Sequence, residues 1–301
     1  NINDDSVDFS VITDNQFLSI LDDTFNSKYG FESVSKLLNE FNEEKYFVSN
    51  QYNYEHKMVR YFRAEYIEAS VLENLNSLDV YFDQKFCDGL IINLVNDIGI
   101  TQKRTKEILE NLGYKNVIIR FIDKMIPAFA IKKIRRLFAA KNLLIDSGAL
   151  SEDAKNTLPK YVDDEIIEIN SFLRDLTSKA KLLALNIPDN KSLSGYIYQA
   201  LNSLYEKTVI INNEQVNKNE ISSVTNKARV NVIELILNKK EGEYSSTSAE
   251  GTIYDSFKTS IDKNYEIVDK IKECFLNNNK NKLELYDLVE MLKSAPYGMR
   301  D

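Results

Sequence analysis

Leu90-Ile91-Ile92-Asn93-Leu94-Val95, and twenty-odd residues later Asn116-Val117-Ile118-Ile119-Arg120-Phe121-Ile122, decide how this chain is to be read. Each is a short apolar run rich in β-branched residues, the form of a strand buried on both faces. Between them Thr101 has the position of an N-cap, and Ile108, Leu109 and Leu112 recur at helical spacing. Gly113 stands where a helix C-terminal glycine belongs. Strand, helix and strand over about thirty residues make a βαβ unit, because parallel strands need a crossover of that size. The turn after the first strand, Asn96-Asp97-Ile98-Gly99-Ile100, carries one glycine and not the glycine-rich cradle that phosphates need. The unit is therefore not read as a nucleotide site.

Downstream, Pro127 opens a long helix to about Leu144. Ile131, Ile134, Leu137 and Phe138 lie between Lys132, Lys133, Arg135, Arg136 and Lys141, so the helix is locally basic. A solvated face is the ordinary reading of such a pattern, and contact with nucleic acid or a partner is the sharper one. After Pro159, the residues Val162, Ile166, Ile169, Leu173, Leu176, Ala180, Leu183 and Ile187 alternate in steps of four and three, until Pro188. That is a heptad seam, and the nearest helix to fill it is 128–145, joined through Ser147-Gly148. A long antiparallel helical hairpin is expected. Asp163, Asp164 and Glu165 read as acids favoured by the dipole at a helix start.

Upstream, Phe17, Leu18, Leu21 and Phe25 form one helix face, and Val34, Leu37, Leu38 and Phe41 form another. Residues 46–63 are rich in Tyr and Phe, with Lys57, Arg60 and Arg63 interleaved, and read as a packed loop with aromatic anchors or as a base-stacking surface. Beyond residue 190 the pattern is helical: Tyr196 to Leu204, a helix with Val230, Ile233 and Leu237, a polar loop over 239–251, then helices with Ile267, Ile271 and Phe275 and with Leu283, Leu285, Leu288 and Leu292. The fold class expected is mainly α: a helical bundle with a long antiparallel hairpin and a small α/β (βαβ) element. The segments expected are 1–85 (helical, aromatic-rich), 86–126 (α/β), 127–190 (hairpin) and 191–301 (helical, ending like a truncated winged helix).

Composition agrees. Among 301 residues, 9 are Gly and 4 are Pro, so helix breakers are scarce. Charged residues make up 28%, which excludes a disordered chain, and there is no apolar run long enough to span a membrane. The net charge of −8 confines any contact with nucleic acid to a local patch. Two distant cysteines, Cys87 and Cys274, make no disulfide framework and read as small buried residues of a reducing compartment. With the acidic first residues unlike a signal peptide, a cytoplasmic location is expected. One histidine, His56, provides no histidine metal cluster, and no Gly-x-x-x-x-Gly-Lys-Ser/Thr loop is present. No catalytic residue, metal ligand or cofactor is assigned.

Three stretches carry a likeness. The first is Gln51-Tyr52-Asn53 and Met58-Val59-Arg60-Tyr61-Phe62, followed by Cys87-Asp88-Gly89-Leu90-Ile91. The second is Tyr205-Glu206-Lys207-Thr208, Ile211-Asn212-Asn213-Glu214-Gln215-Val216-Asn217 and Asn226-Lys227-Ala228-Arg229. The third is Leu292-Lys293-Ser294-Ala295-Pro296-Tyr297-Gly298-Met299-Arg300. In this order, over roughly residues 45–301, they resemble the region downstream of the ATPase core in very large bacterial P-loop ATPases of bacteriophage-exclusion and related phage-defence loci. Since the nucleotide-binding motifs are missing, the resemblance implies an excised part or separate subunit whose ATP hydrolysis belongs elsewhere, and the end at Asp301 fits an excised part. Asn212, Asn213, Glu214, Asn217, Arg229 and Tyr297 are the motif positions; read physically, the asparagines are turn and cap residues and Glu214 pairs with Arg229 across two helices.

The function expected is a non-catalytic interaction and scaffolding region with protein partners, or the remainder of a larger ATPase chain. The alternatives are a nucleic-acid-binding helical module, using Lys132, Lys133, Arg135, Arg136, Lys141, Arg60 and Arg63, and a carboxylate–metal nuclease.

Overall fold

A computed structural model describes residues 14–56, 58–82, 87–145, 152–188, 192–208, 213, 222–237, 245, 247–258, 261–276 and 285–299. The fold is mainly α, with one small mixed five-stranded sheet. The chain forms two compact units: Asn1–Phe47 with Phe62–Asp189, and Val48–Tyr61 with Asn190–Asp301. The expected segments 86–126 and 127–190 thus fall together in the first unit with most of 1–85.

In the first unit the strands are β1 (Tyr46–Phe47), β2 (Phe62–Glu68), β3 (Gly89–Val95), β4 (Val117–Phe121) and β5 (Lys181–Ala184), side by side in that order. β2, β3 and β4 are parallel, while β1 and β5 are antiparallel to their neighbours. Alternate residues of each strand face opposite sides of the sheet. Leu90, Ile92 and Leu94, with Val117, Ile119, Phe121 and Leu183, pack against α4 (Ala69–Asn74) and α6 (Gln102–Leu112) through Leu72, Ile108 and Leu109. Tyr66 and Val95 belong instead to the core formed by α1 (Asp14–Lys28), α2 (Val34–Phe41), α7 (Ala128–Ile145) and α8 (Glu152–Ser178). The βαβ unit expected from residues 90–122 is present, with Thr101 Oγ1 accepting from Arg104 N at 3.2 Å and Gly113 at φ 74° closing α6. Gly89 is required where β3 begins, because a Cβ there would overlap the Phe62 ring and lie 2.6 Å from the Asn116 carbonyl. A short helix, α5 (Asp79–Phe82), precedes β3.

α7 and α8 form the expected antiparallel hairpin, with Lys133 of α7 paired to both Glu165 and Glu168 of α8. Its seam differs from the sequence reading. Val162, Ile169 and Leu173 are buried, but the helix begins at Glu152, runs through Pro159 and ends at Ser178. Ala180, Leu183 and Ile187 are not helical, and 181–184 is an edge strand instead. Asp163, Asp164 and Glu165 are therefore in mid-helix, beyond the reach of the helix-end dipole. The packed loop expected over 46–63 contains β1, α3 (Asn50–His56) and the start of β2. β2 carries the period of a strand in the alternation of Phe62, Ala64 and Tyr66, all buried, which the loop reading did not use.

The second unit contains α3, α9 (Leu193–Leu204), α10 (Ser223–Leu237), α11 (Ala249–Lys258), α12 (Ile261–Leu276) and α13 (Leu285–Lys293). Ala228 and Val232 of α10 pack with Ile253, Tyr254 and Phe257 of α11. Val230 and Ile233, the aliphatic residues that marked this helix in the sequence, are 51% and 54% exposed. α11 starts inside the stretch expected to be a polar loop, and Phe275 of α12 is exposed, not buried. Leu292 and Ile267 hold α13 to α12 together with Tyr297.

Candidate functional site

Parts of the three stretches that carry the sequence likeness, Asn53 to Arg60, Tyr205 to Thr208 and Pro296 to Gly298, meet around Arg60 in the second unit. Asn53 of α3 clamps the backbone of Arg60, its Oδ1 accepting from Arg60 N at 3.0 Å and its Nδ2 donating to Arg60 O at 3.3 Å. The guanidinium is fully buried and lies 3.8 Å over the Tyr205 ring, just past the end of α9. It donates to the Gly298 carbonyl and to Met58 Sδ at 3.6 Å. Thr208 Oγ1 donates to the Tyr297 carbonyl at 2.6 Å, and Lys207 N donates to the Pro296 carbonyl at 3.1 Å. Lys207 is also ion-paired with Glu266 of α12. Gly298 has φ 59°, and a Cβ on it would overlap the Tyr205 ring. The glycine thus serves both the left-handed turn and the close approach.

Beside this junction Tyr52 is buried and stacks on His56 (4.0 Å between centroids, 20° between planes). The Tyr198 ring meets Tyr52 edge-on at 6.1 Å. Glu55 accepts from Gln51 Nε2 at 2.9 Å and from the Tyr198 hydroxyl at 2.8 Å, and these two bonds hold its carboxyl below the usual range. The Tyr198 contacts join α9 to α3, while the Tyr52–His56 stack and the Gln51–Glu55 bond lie within α3. A cation set on a ring and a carbonyl is an arrangement for cross-linking chain segments.

The remaining motif positions divide. Asn213 Nδ2 donates to Thr252 O (3.0 Å) and Ser256 Oγ (3.1 Å), which ties its segment to α11. Arg229 is half-buried on α10. Asn212, Glu214 and Asn217 lie outside the described residues, and with them the expected Glu214–Arg229 pair, as does Lys57. Phe62 and the Cys87–Ile91 part of the first stretch belong to the first unit, on or just before β2 and β3.

The basic helix α7 is largely matched from within the first unit. Arg136 Nε and Nη2 donate to the two oxygens of Asp22 on α1 at 2.8 and 2.7 Å, and Lys132 Nζ is 3.2 Å from the same carboxylate. Lys133 pairs with Glu165 and Glu168, and Lys141 pairs with Glu40 of α2. Arg63 of β2 pairs with Glu65. Among the described residues no carboxylate is paired with Arg135; its guanidinium lies 5.5 Å from the Phe25 ring centroid. Sequence reasoning named the cations and missed the acids. Asp22 and Glu40 are ordinary surface acids in their own helices, and only the packing of α1 and α2 on α7 brings them to the cations.

The carboxylates at the ends of the parallel strands are also committed. Glu68 accepts from Ser35 N at 2.9 Å and Ser35 Oγ at 2.6 Å, at the start of α2. Asp97 accepts from Ser70 N at 3.0 Å and from Ser70 Oγ, at the start of α4. The turn after β3 is closed by its own Asn96, which accepts from Ile100 N at 2.8 Å and donates to Ile100 O at 3.2 Å. β2, β3 and β4 succeed one another in one direction, without the reversal of strand order that opens a ligand crevice. Cys87 and Cys274 are both half-buried free thiols rather than buried ones, and burial pushes the Cys87 thiol up. Among the described residues no helix is long and apolar enough to cross a membrane.

No family model, curated protein or solved structure matches this chain.

Proposed function

We propose that the chain is a non-catalytic interaction and scaffolding region of a large bacterial P-loop ATPase of the phage-defence kind, working in the cytoplasm. One observation carries the reading. The residues that bear the likeness are far apart in sequence, yet Asn53, Arg60, Tyr205, Thr208, Tyr297 and Gly298 join into one buried junction. Each has a structural task there, so the likeness rests on residues that hold a fold together. A scaffold requires this of its shared residues.

The nucleic-acid reading relies on cations whose charge is largely neutralised by Asp22, Glu40, Glu165 and Glu168. A phosphate backbone would have to displace those acids. The nuclease reading relies on free carboxylates, and Glu68 and Asp97 are occupied at helix starts.

The test is crosslinking with mass spectrometry in cells that produce the chain, paired with turnover assays on the purified chain. Crosslinks to a segment bearing a Gly-x-x-x-x-Gly-Lys-Ser/Thr loop are expected, with no turnover of ATP or nucleic acid. Turnover by the purified chain that a point substitution in it abolishes would overturn the proposal. DNA binding with a steep salt slope, lost on Lys132→Glu with Arg135→Glu, would transfer it to the nucleic-acid module.

A further inference from the structure

One row across the three parallel strands is polar. Tyr66 of β2 stands beside Asn93 of β3, and Asn93 beside Arg120 of β4. Paired residues of adjacent strands turn to the same face, about 4.8 Å apart, so the three side chains are within reach of one another. Around them that face is apolar: Ile91, Val95 and Ile118 are all buried. Tyr66, Asn93 and Arg120 are 2%, 1% and 9% exposed. They share one long bond, Arg120 Nη1 donating to Asn93 Oδ1 at 3.4 Å. The guanidinium lies 4.5 Å over the Phe47 ring, which turns it toward β1 and the exposed residues 43–46. Since arginine only donates, Asn93 gives it Oδ1 and keeps Nδ2 for another acceptor. Arg120 Nε and Nη2, Asn93 Nδ2 and the Tyr66 hydroxyl donate to no group among the described residues. None of the four is sealed from solvent.

A row of spare donors around one positive charge suits an oxyanion. Burial pushes the Tyr66 hydroxyl up, so it keeps its proton and donates, and burial draws the Arg120 guanidinium down, a cost that a bound anion offsets. Nε and Nη2 are the two nitrogens by which Arg136 holds both oxygens of Asp22, at 2.8 and 2.7 Å. The free edge of Arg120 is thus the one this chain already uses for a planar carboxylate. Glu44, exposed in the loop before β1, acts by its charge on both Arg120 and Tyr66 but bonds to neither. A carboxylate brings one negative charge, which Arg120 balances; a phosphate brings up to two, and the excess would face Glu44. We propose that the Tyr66–Asn93–Arg120 row binds a small carboxylate, both oxygens on Arg120 Nε and Nη2, with Tyr66 and Asn93 as further donors. The assignment goes beyond the scaffolding reading and holds or fails whatever the partners of the chain are.

The experiment is proton–nitrogen NMR on the full chain, following the Arg120 Nε–H signal, assigned by its absence from Arg120→Lys. Acetate, inorganic phosphate and chloride are titrated at equal ionic strength. Acetate should move the signal saturably, phosphate should bind more weakly, and chloride should leave it in place. Tyr66→Phe removes one donor to the anion and should weaken acetate about tenfold. Glu44→Gln removes the opposing charge at an exposed position and should tighten acetate about twofold. That gain guards against a folding defect in the tyrosine variant, and an Arg120 with a merely structural role would not give it. No saturable shift with acetate, or an equal shift with chloride, overturns the proposal. So does an acetate affinity that neither Tyr66→Phe nor Glu44→Gln changes. Tighter binding of phosphate than of acetate overturns the carboxylate assignment in favour of a phosphate site.

Discussion

Asp22→Asn tests whether the acids matched to α7 hold the first unit together. Asp22 accepts two bonds from Arg136, at 2.8 and 2.7 Å, with Lys132 at 3.2 Å. The two side chains of the bidentate pair are 25% and 17% exposed, so the pair is only partly screened by water. Hydrogen bonds to charged groups contribute roughly 1.5–3 kcal/mol net, and exposed pairs no more than about 1. The position between those limits gives about 1–2 kcal/mol for the pair. The Arg136 hydrogen bonds, more than Lys132, hold the Asp22 carboxyl below its ordinary value of 3.8. A carboxyl depressed on folding contributes stability that is complete above its unfolded pKa and is lost as pH falls through its folded pKa. Wild type should therefore exceed Asp22→Asn by a constant margin from neutral pH to about pH 5, and the margin should vanish in strong acid. The assay is urea unfolding at pH 7 and in acid, with Arg136→Gln and the double variant completing a cycle. Hydrogen exchange in α1 and α7 locates the loss. Coupling below about 0.3 kcal/mol, the level of additive sites, would refute the reasoning. So would a margin that persists unchanged in strong acid.

Gly298→Ala should destabilise the second unit by about 2–4 kcal/mol in urea unfolding, from left-handed strain and overlap with the Tyr205 ring together. Arg60→Lys keeps the charge but loses the planar contact with Tyr205, and should cost about 1–3 kcal/mol, read as faster exchange of the 297–299 amides. Thr101→Ala and Gly113→Ala each remove one cap of α6 and should cost about 1 kcal/mol apiece, additively because the caps lie at opposite ends. Leu183→Asp buries a carboxylate among Leu90, Ile92 and Val117, and should raise exchange of the β4 amides while α10 and α11 keep theirs.

What could be read in advance follows a physical division. β3, α6 and β4 were legible because their signals are local: β-branched runs, a threonine cap and a glycine stop all lie within each element. β2 is less legible although Phe62, Ala64 and Tyr66 alternate, because it is short and charged residues, Arg63, Glu65 and Glu68, stand between and after its buried positions. The exposed Val230 and Ile233 show the limit of periodicity alone: two helical faces of α10 carry aliphatic residues, and only the packing of α11 selects Ala228 and Val232. At the candidate site, Arg60 was visible as a basic residue among aromatics, but its burial against Tyr205 and Gly298 depends on segments far along the chain.

The end of α8 shows why local pattern gave way. Steps of four and three continue through Ala180, Leu183 and Ile187, so nothing in the period stops the helix at Ser178. The stop comes from the sheet. Val117-Ile118-Ile119-Arg120-Phe121 is buried along its whole length, and without β5 its outer backbone donors and acceptors would be open at the edge of that buried strand. Pairing Ile118 with Ala184, Ile119 with Leu183 and Phe121 with Lys181 satisfies them. Leu183 still enters an apolar core, now as the cross-strand partner of Ile119 in the cluster beneath α4 and α6 rather than in the seam with α7. Helix and strand bury that leucine alike, so its burial does not discriminate between them. Thr177 Oγ1 donating to Leu173 O and Ser178 Oγ donating to Asp175 O take up acceptors in the last turn, which eases termination there. The seam and the edge strand are therefore two uses of one apolar repeat, and the unpaired edge of β4 decides between them.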